Sequence, residues 1–493
     1  MRAPGGFSSG SPVGGPRRFR GFVETEQNWP QFRQLFTTAH SPGNDLLPER
    51  PSPAERCCTV TPNSTARRRT ADGPTGRRKV SGPARRRLAA GLAVVCGLAL
   101  VQSSTAAAAP EPLASDVLFS GEEQVAPGVT FRSFTWETGH GSTQGYVLEA
   151  DLANPLVDLG LLHRKTVTEP TAISALADGQ GAVAGVNGDF FNNTDEHEGV
   201  EPTGSAVGAE IAAGEARKGA VPDGQRFGPG LPEGTSTEDV FGLGSDRTAR
   251  VASVRLEGKI ETGHGVLGVD GLNQYAIPVG GVGVFTEAWG TTSRVRATCG
   301  TDTDRGAPCS DTTIEIVVRD GKVAEVRPEP GAGAIAAGDF VLVGREDGVG
   351  ELDDLKPGDP VSVDYQLAPV GVPEFRFVVG GFPILRDGTA LPGLDDQALA
   401  PRTSAGASAD GKRVYLVAMD GRSQVSAGLT VSELADLLKR SGADDAVNLD
   451  GGGSTTLVAR EAGAQHVTVR NNPSDGRERP VANGIGIFSG GGR

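Results

Sequence analysis

The apolar positions of the chain recur mostly with the two-residue period of a β-strand, and only in a few places with the period of a helix. The run Val129–Trp136 is strand-like, and Val-rich stretches such as Thr313–Arg319 and Phe340–Val343 lie between Gly, Pro and Asp turns and predict strands. Residues 201–370 contain many such runs and no long helical pattern. We therefore expect an α+β or mixed α/β protein that is β-rich with few short helices.

Two segments share the order helix, Gly, apolar strand, Asp. In the first, Thr168–Thr171 predicts a helix start with Pro170 early in the first turn, and we expect the helix to run to about Asp178. The apolar run at 182–187 then predicts a buried strand that leads to Asp189.

In the second segment, Thr430 and Glu433 have the spacing of a capping box, and Gly442 follows the apolar stripe of a helix. A short buried strand at 446–449 leads to Asp450. Because both units deliver an Asp at a strand end, we expect the two carboxylates to face one cleft.

Composition and charge change this picture mainly at the N-terminus. Of 493 residues, 72 are Gly and 33 are Pro, which predicts many loops. Residues 1–109 carry 16 of the 47 Lys and Arg and 6 of the 61 Asp and Glu, so the remainder has a formal charge of about −24. Such an acidic body repels phosphate backbones, and we expect no nucleic-acid partner.

The sequence around residues 85–109 is typical of a secretory signal peptide. Arg85–Arg87 precedes the apolar run Leu88–Val101 and a small-residue stretch at 103–109, and a run of that length is too short to span a bilayer. We expect cleavage near Ala107–Ala109, translation starting at Val80, and a secreted or cell-wall-associated protein without a stable membrane span.

These features divide the chain into five parts. Residues 1–79 are interpreted as a disordered extension or one upstream of the true start, and 80–109 as the signal peptide. Residues 110–200 and 371–493 form the N- and C-terminal parts of a catalytic core, and 201–370 an inserted or accessory β-rich region. Cys299 and Cys309 are the two cysteines of the exported body, and their short spacing in an oxidising compartment predicts a structural disulfide.

The segment with the most specific chemistry is Asn448–Thr456, in which Asp450 is followed by three Gly and then by hydroxyl residues. Without side chains, the Gly amides can approach an anion closely. Asn187–Asn192 places Asp189 between two amides, and Arg402 and Arg479 are suited to phosphate recognition. We predict Asp450, Asp189 and Arg402 as catalytic residues. The predicted substrate-binding residues are Asn187, Asn192, Asn448, Gly451, Gly452, Gly453, Ser454, Thr455, Arg479 and Asn483.

Taken together, these segments resemble the phosphodiester glycosidase family. The matching stretches are Gly185–Asn192, Gly380–Gly388, Pro401–Gly406, Gly428–Thr456 and Arg479–Gly484. Asn-Leu-Asp-Gly-Gly-Gly-Ser-Thr is the most specific of them, and Asp189 departs from the Gly expected there. The resemblance implies cleavage between a sugar's anomeric carbon and a phosphodiester oxygen, which releases sugar and a phosphate monoester.

The residue types fit this reaction. Asp450 could act as base or nucleophile at the anomeric carbon, and Arg402 with the Gly451–Gly453 amides could stabilise the leaving phosphate. The alternatives are a non-catalytic binder of anionic cell-wall or extracellular glycans and a phosphodiesterase attacking phosphorus. No metal ligand is predicted. A divalent cation, Ca²⁺ or Mg²⁺, stays an open alternative because Asp and Asn oxygens suit both. The sequence indicates neither the sugar, the stereochemical outcome nor the oligomeric state.

Overall fold

The structure is a computed structural model, and it describes residues 116–490. The predictions made for residues 1–79 and 80–109, including the start at Val80 and the signal peptide, lie outside these residues. Within the described part the chain is β-rich with few short helices, as predicted.

The strands fall in four sheets and are numbered here in chain order. They are β1 Leu118–Phe119, β2 Glu123–Ala126, β3 Val129–Thr138, β4 Gly141–Asp151, β5 Val157–Leu162, β6 Ala184–Asn187, β7 Glu210–Ala212, β8 Glu215–Lys218, β9 Asp239–Gly244, β10 Ala249–Thr262, β11 Gly265–Gly268, β12 Gly271–Leu272, β13 Val282–Phe285, β14 Thr313–Arg319, β15 Lys322–Arg327, β16 Phe340–Arg345, β17 Val361–Pro369, β18 Phe375–Gly380, β19 Phe382–Arg386, β20 Thr389–Ala390, β21 Arg402–Ala407, β22 Arg413–Met419, β23 Asp445–Leu449, β24 Leu457–Arg460, β25 Val467–Val469 and β26 Gly484–Ser489.

Two of the sheets carry the segments singled out by the sequence. A nine-stranded sheet has the order β1-β3-β4-β22-β21-β23-β19-β20, with β2 paired to β3, and a five-stranded sheet has the order β25-β24-β6-β26-β5. The other two sheets are built mainly from residues 201–370. A seven-stranded sheet has the order β11-β10-β9-β18-β7-β8, with β17 paired to β10, and a second five-stranded sheet has the order β12-β13-β16-β14-β15.

The helices of the described part are α1 Ile173–Gln180, α2 Asp347–Leu352 and α3 Val431–Ser441. Helix α1 begins at Ile173, later than the predicted start at Thr168–Thr171. The physical reason is that Thr171 pairs through its backbone with Val481, donating at 2.9 Å and accepting at 3.1 Å, so its peptide groups are committed to a β-bridge. Gly181 ends the helix in the left-handed conformation, with φ of 76°.

Helix α3 forms as its sequence predicts. The Thr430 hydroxyl accepts from the Glu433 amide at 3.1 Å, and the Glu433 carboxylate accepts from the Thr430 amide at 2.9 Å, which completes the capping box. Gly442 ends the helix with φ of 105°. The helix packs its buried Leu434, Leu437 and Leu438 onto one face of the nine-stranded sheet.

The opposite face of the nine-stranded sheet forms the main core. Side chains such as Leu416 of β22 and Val447 of β23 pack there against Val186 of β6 and Ile485 of β26. Because both faces are covered, β21 is buried along its whole length. Residues at the ends of these strands are therefore held by a rigid support.

The predicted disulfide between Cys299 and Cys309 is present. The two cysteines also form an antiparallel bridge, so the bond closes the loop between them. Residues 116–490 contain no helix that is long and apolar enough to cross a membrane.

Candidate functional site

The candidate site lies at one end of three neighbouring strands of the nine-stranded sheet, where β22 and β23 end and β21 begins. Strands β22 and β23 both pair antiparallel with β21, so they run parallel to each other. Asp420 directly follows β22, Asp450 directly follows β23, and Arg402 begins β21. These three residues therefore share one edge of the sheet.

Asn187, at the end of β6, ties the five-stranded sheet to this edge. Its side-chain oxygen accepts from the Thr403 hydroxyl at 2.7 Å and from the Thr456 amide at 3.0 Å. Its side-chain nitrogen donates to the Asp450 carbonyl at 2.6 Å, and the Asp450 amide donates to the Gly188 carbonyl at 2.9 Å. The two strand ends predicted to converge thus meet through their backbones, and the Asn187 amide is used for that junction.

The Gly turn after Asp450 differs from the predicted open cradle. The amide of Gly451 donates to the Asp450 carboxylate at 2.9 Å, and the amide of Gly452 donates to the Pro401 carbonyl at 2.9 Å. Two of the three amides expected to hold an anion are therefore engaged. Within residues 116–490, the Gly453 amide is left without an acceptor.

The turn is packed so closely against Arg479 and Asp475 that a side chain at Gly453 would displace them. A Cβ atom there would lie 2.0 Å from Arg479 Nη2 and 2.4 Å from Asp475 Oδ2. The Arg479 guanidinium is fixed by bonds to Asp475 Oδ2 of 3.0 Å from Nε and 2.6 Å from Nη2, and its Nη1 reaches the Ser454 hydroxyl at 3.4 Å. Arg479 is consequently held against the turn beside Asp450.

Asp450 combines partial burial with local donors. Burial raises the pKa of its carboxyl group to about 6, although the Ser454 hydroxyl, the Gly451 amide and the Arg479 charge all favour the ionised form. A carboxyl group that exchanges its proton near neutral pH is suited to acid–base work or to nucleophilic attack.

Arg402 is placed differently from its predicted role. The side chain is 8% exposed, and it donates from Nε to the Leu429 carbonyl at 3.0 Å and from Nη2 to the Ala398 carbonyl at 2.6 Å. Burial lowers its pKa, and so does the neighbouring charge of Arg422, while Asp395 acts in the opposite sense. Arg402 thus holds two loops together at the sheet edge.

Arg422 was missed by the sequence analysis. It follows Asp420 and Gly421 directly after β22, just as the Gly turn follows Asp450 directly after β23. Its Nη1 and Nη2 lie 3.2 and 3.5 Å from the place where a Cβ atom on Gly452 would stand. The signal that could have revealed it is a second Asp-Gly pair after a buried, parallel strand.

Asp189 belongs to a buried charge cluster. The side chain is 1% exposed, its Oδ2 accepts from the Gly208 amide at 2.6 Å, and its Oδ1 has no partner. Burial raises the pKa of Asp189, and the positive charge of Lys218 opposes that rise. Lys218 and Glu210 lie opposite each other on β8 and β7, and both are buried. The Lys218 ammonium donates to three backbone carbonyls, and the Glu210 carboxylate lies 3.7 Å from Arg217 Nε.

Asn483 connects the parts of this cluster. Its side-chain oxygen accepts from the Asp189 amide at 2.9 Å, and its side-chain nitrogen donates to Glu210 Oε1 at 2.8 Å. The residue is fully buried, so in this structure it positions Asp189. The carboxyl groups of Asp189 and Asp450 therefore take different partners, although their backbones are joined.

The remaining predicted substrate-binding residues have two kinds of environment. Asn192 is fully buried and its side-chain oxygen accepts from the Thr203 amide at 2.6 Å and hydroxyl at 2.9 Å. By contrast, both side-chain polar atoms of Asn448 and the hydroxyl of Thr455 are buried without a partner. Unsatisfied buried polar atoms of this kind are available to a ligand or a water molecule.

An open pocket of about 430 Å³ adjoins Arg479. It is lined by Phe191, Asn192, Asn193, Thr203, Thr292 and Arg479 among others. A larger pocket of about 570 Å³ lies among β8, β13 and β17 and contains none of the predicted site residues.

Two groups of side chains in residues 116–490 are close enough to hold a metal ion. One is Asp387, Asp444 and Asp445, at the opposite end of β23 from Asp450. The other is His197 with Cys299 and Cys309, whose sulfurs are joined in the disulfide. Neither includes Asp450 or Asp189, so the divalent cation stays an open alternative.

Comparison with known proteins agrees with the resemblance inferred from the motifs. Residues 312–488 match the sequence model of the phosphodiester glycosidase family, which confirms that resemblance. A search of the curated proteins found no match.

Two solved structures share the fold, and a third was matched at a lower TM-score. A hypothetical protein from Synechocystis superposes with a TM-score of 0.59 at 20% identity, over 77% of this chain and 69% of that one. A protein from Burkholderia pseudomallei K96243 gives a TM-score of 0.54 at 22% identity, over 70% of this chain and 74% of that one. The zebrafish N-acetylglucosamine-1-phosphodiester α-N-acetylglucosaminidase catalytic domain gives 0.37 at 14% identity, over 76% and 88%.

Proposed function

We propose that this protein is a secreted hydrolase that cleaves the sugar C1–oxygen bond of a sugar-1-phosphodiester and releases sugar and a phosphate monoester. The observation that carries the proposal is the Asp450 carboxyl group, with its pKa raised to about 6, next to a Gly turn that is flanked by Arg422 and Arg479. The match of residues 312–488 to the phosphodiester glycosidase family supports the same reaction.

The reaction needs little general-acid assistance, because a phosphate monoester is already a good leaving group. Asp450 acts as base toward water or as nucleophile at C1, where a carboxylate stabilises the oxocarbenium-like transition state. Arg479 and the Gly453 amide stabilise the charge that develops on the departing phosphate. In the overall reaction the water oxygen ends on C1 and the bridging oxygen leaves with phosphorus.

The test is hydrolysis of a panel of sugar-1-phosphodiesters, including teichoic-acid-like polymers, by the secreted chain. We expect Asp450→Asn to abolish turnover while circular dichroism stays that of the wild type, and the exposed substitution Asp354→Asn to leave turnover unchanged. Wild-type activity in Asp450→Asn would refute the assignment.

Isotope labelling decides which bond breaks. In ¹⁸O water we expect the label in the released sugar, whereas label in the phosphate would mean attack at phosphorus. Binding without any product over long incubation would instead identify a glycan-binding protein.

Export is part of the proposal. The Cys299–Cys309 disulfide supports it, because such bonds persist in oxidising compartments. N-terminal sequencing of the precursor and the mature chain tests it. We expect mature chains to begin near residue 110 and precursors at Val80, and a peptide mapping upstream of Val80 would exclude that start.

A further inference from the structure

Arg422 lies on an exposed loop with an unusual backbone. Residues 422–425 are exposed, and Arg422 has φ of 56°, in the left-handed region that a bulky side chain rarely adopts. Strain of this kind persists where the surrounding structure enforces it, and it concentrates at ligand-binding positions.

The base of the loop is held firmly. The Ser426 hydroxyl donates to the Asp420 carbonyl at 2.7 Å, and the Ser423 amide donates to the Ser426 carbonyl at 3.1 Å. The Asp420 carboxylate is 4% exposed and accepts from the Tyr146 hydroxyl at 3.1 Å and from the Asn472 side chain at 2.7 Å. The backbone on both sides of Arg422 is consequently fixed by the fold.

Arg422 differs from the other two arginines around the Gly turn. The guanidinium of Arg402 donates to two carbonyls, and that of Arg479 donates to Asp475. Among residues 116–490, Arg422 has neither a hydrogen-bond acceptor nor a carboxylate within ion-pair distance. It is also close enough to Arg402 for the two positive charges to interact. Two like charges favour an anion beside them, and Asp395 offsets only the charge of Arg402, since Arg422 has no carboxylate within ion-pair distance in the described residues.

The direction of the guanidinium indicates where that anion lies. Both terminal nitrogens of Arg422 stand over Gly452, at 3.2 and 3.5 Å from the position of its absent Cβ, and the next residue offers the unused Gly453 amide. A planar fork with two terminal donors matches two oxygens of one phosphate. Asp450 is two residues before Gly452, so a phosphate above the turn places its bridging oxygen near that carboxyl group.

We infer that Arg422 binds the two non-bridging oxygens of the substrate's phosphodiester and makes the enzyme select a sugar phosphodiester over a neutral glycoside. This inference rests on the proposed function for the site. It gives Arg422 the phosphate-binding role that the sequence assigned to Arg402, and it leaves Arg402 as a positioning residue.

The experiment compares Arg422→Ala and Arg422→Lys with the control Arg319→Ala, which removes an exposed arginine of β14. For each variant, kcat/KM is measured on a sugar-1-phosphodiester, and inorganic phosphate is titrated as a competitive inhibitor. We expect Arg422→Ala to lower kcat/KM on the order of 100-fold and to weaken phosphate inhibition at least about tenfold. Arg422→Lys should recover part of both, because it keeps the charge but not the fork.

Chemical rescue of the truncated arginine gives a further test. Ethylguanidine should restore part of the activity of Arg422→Ala and none of that of Asp450→Asn. Wild-type kcat/KM in Arg422→Ala, or phosphate inhibition equal to that of the control, would overturn the inference.

A failure of the proposed function can be distinguished from a failure of the inference about Arg422. If the wild type cleaves no phosphodiester in the panel, the proposed reaction is wrong, and calorimetric titration with inorganic phosphate still tests Arg422. Binding to the wild type that is lost in Arg422→Ala would support the anion site, and no binding to either protein would overturn it.

Discussion

Replacing Asp450 by Asn should make the protein more stable at neutral pH while removing its activity. The carboxyl group is partly buried at the end of β23, and burial raises its pKa to about 6. Asn keeps a side-chain oxygen that can accept from the Gly451 amide, the bond that Asp450 accepts at 2.9 Å. The substitution therefore removes a charge that is expensive to bury and retains a local hydrogen bond.

The size of the effect follows from the pKa. An ordinary Asp has a pKa near 4, so the folded chain binds the Asp450 proton more tightly than the unfolded chain does. The corresponding stability is fully present below pH 4 and is lost as the pH rises through 6. A pKa difference of about two, at 1.36 kcal/mol per tenfold change, gives about 3 kcal/mol. Solvent screening of a partly buried group reduces the expected gain of the Asn variant at pH 8 to about 2 kcal/mol.

Urea unfolding of the two proteins at a series of pH values measures this difference. We expect the free energies of unfolding to be similar near pH 4, to separate between pH 4 and 6, and to differ by a constant amount above pH 7. The exposed control Asp354→Asn should show no such separation. If Asp450→Asn were less stable than the wild type at pH 8, or if the difference did not depend on pH, the burial argument would be refuted.

Three further predictions test the packing of the Gly turn, the buried charge cluster and the disulfide. Gly453→Ala should lower activity at least about tenfold, because its Cβ would stand 2.0 Å from Arg479 Nη2 and displace that guanidinium; unchanged kcat would contradict the packing. Lys218→Met should cost about 3–5 kcal/mol in urea unfolding, since it removes a buried positive charge that interacts with Glu210 and Asp189 and leaves three backbone carbonyls without their donor. Adding Glu210→Gln should recover part of that loss, and strictly additive losses would argue against the pair. Reduction of the Cys299–Cys309 disulfide should lower stability by about 2–3 kcal/mol, and an unchanged melting temperature under reducing agent would exclude a stabilising role.

Features fixed by neighbours in the sequence could be predicted closely. The capping box of Thr430 and Glu433, the left-handed Gly442 and the strand that ends at Leu449 depend on contacts within a few residues. The predicted start of α1 was less accurate, because the observed start depends on a residue that is distant in the sequence. Thr171 is drawn out of the helix by its bridge to Val481, and no local pattern contains that information.

The environment of Asp189 also depends on residues that are distant in the sequence. The repeated order of helix, Gly, strand and Asp predicted that two carboxylates face one cleft. The two strand ends do meet, through the bond from the Asp450 amide to the Gly188 carbonyl, but the Asp189 carboxylate is buried with other partners. The direction of the Asp189 carboxylate could not be read, since it is set by the Gly208 amide and by Lys218. Both belong to the part of the chain that was interpreted as an accessory region.

The two arginines at this end of the sheet show what residue type alone does not distinguish. Arg402 begins β21, which lies between β22 and β23 and is buried on both faces, so its guanidinium is drawn beneath the loops and satisfied by carbonyls. Arg422 comes after β22 has ended, on a loop that leaves the sheet, so its guanidinium stays in solvent above Gly452. Both strands are interior to the sheet, so the two cases are separated by whether the arginine lies within the strand or in the loop beyond it. An arginine that starts an interior strand is used by the fold, whereas one that follows an interior strand by a short Asp-Gly turn remains available to a substrate.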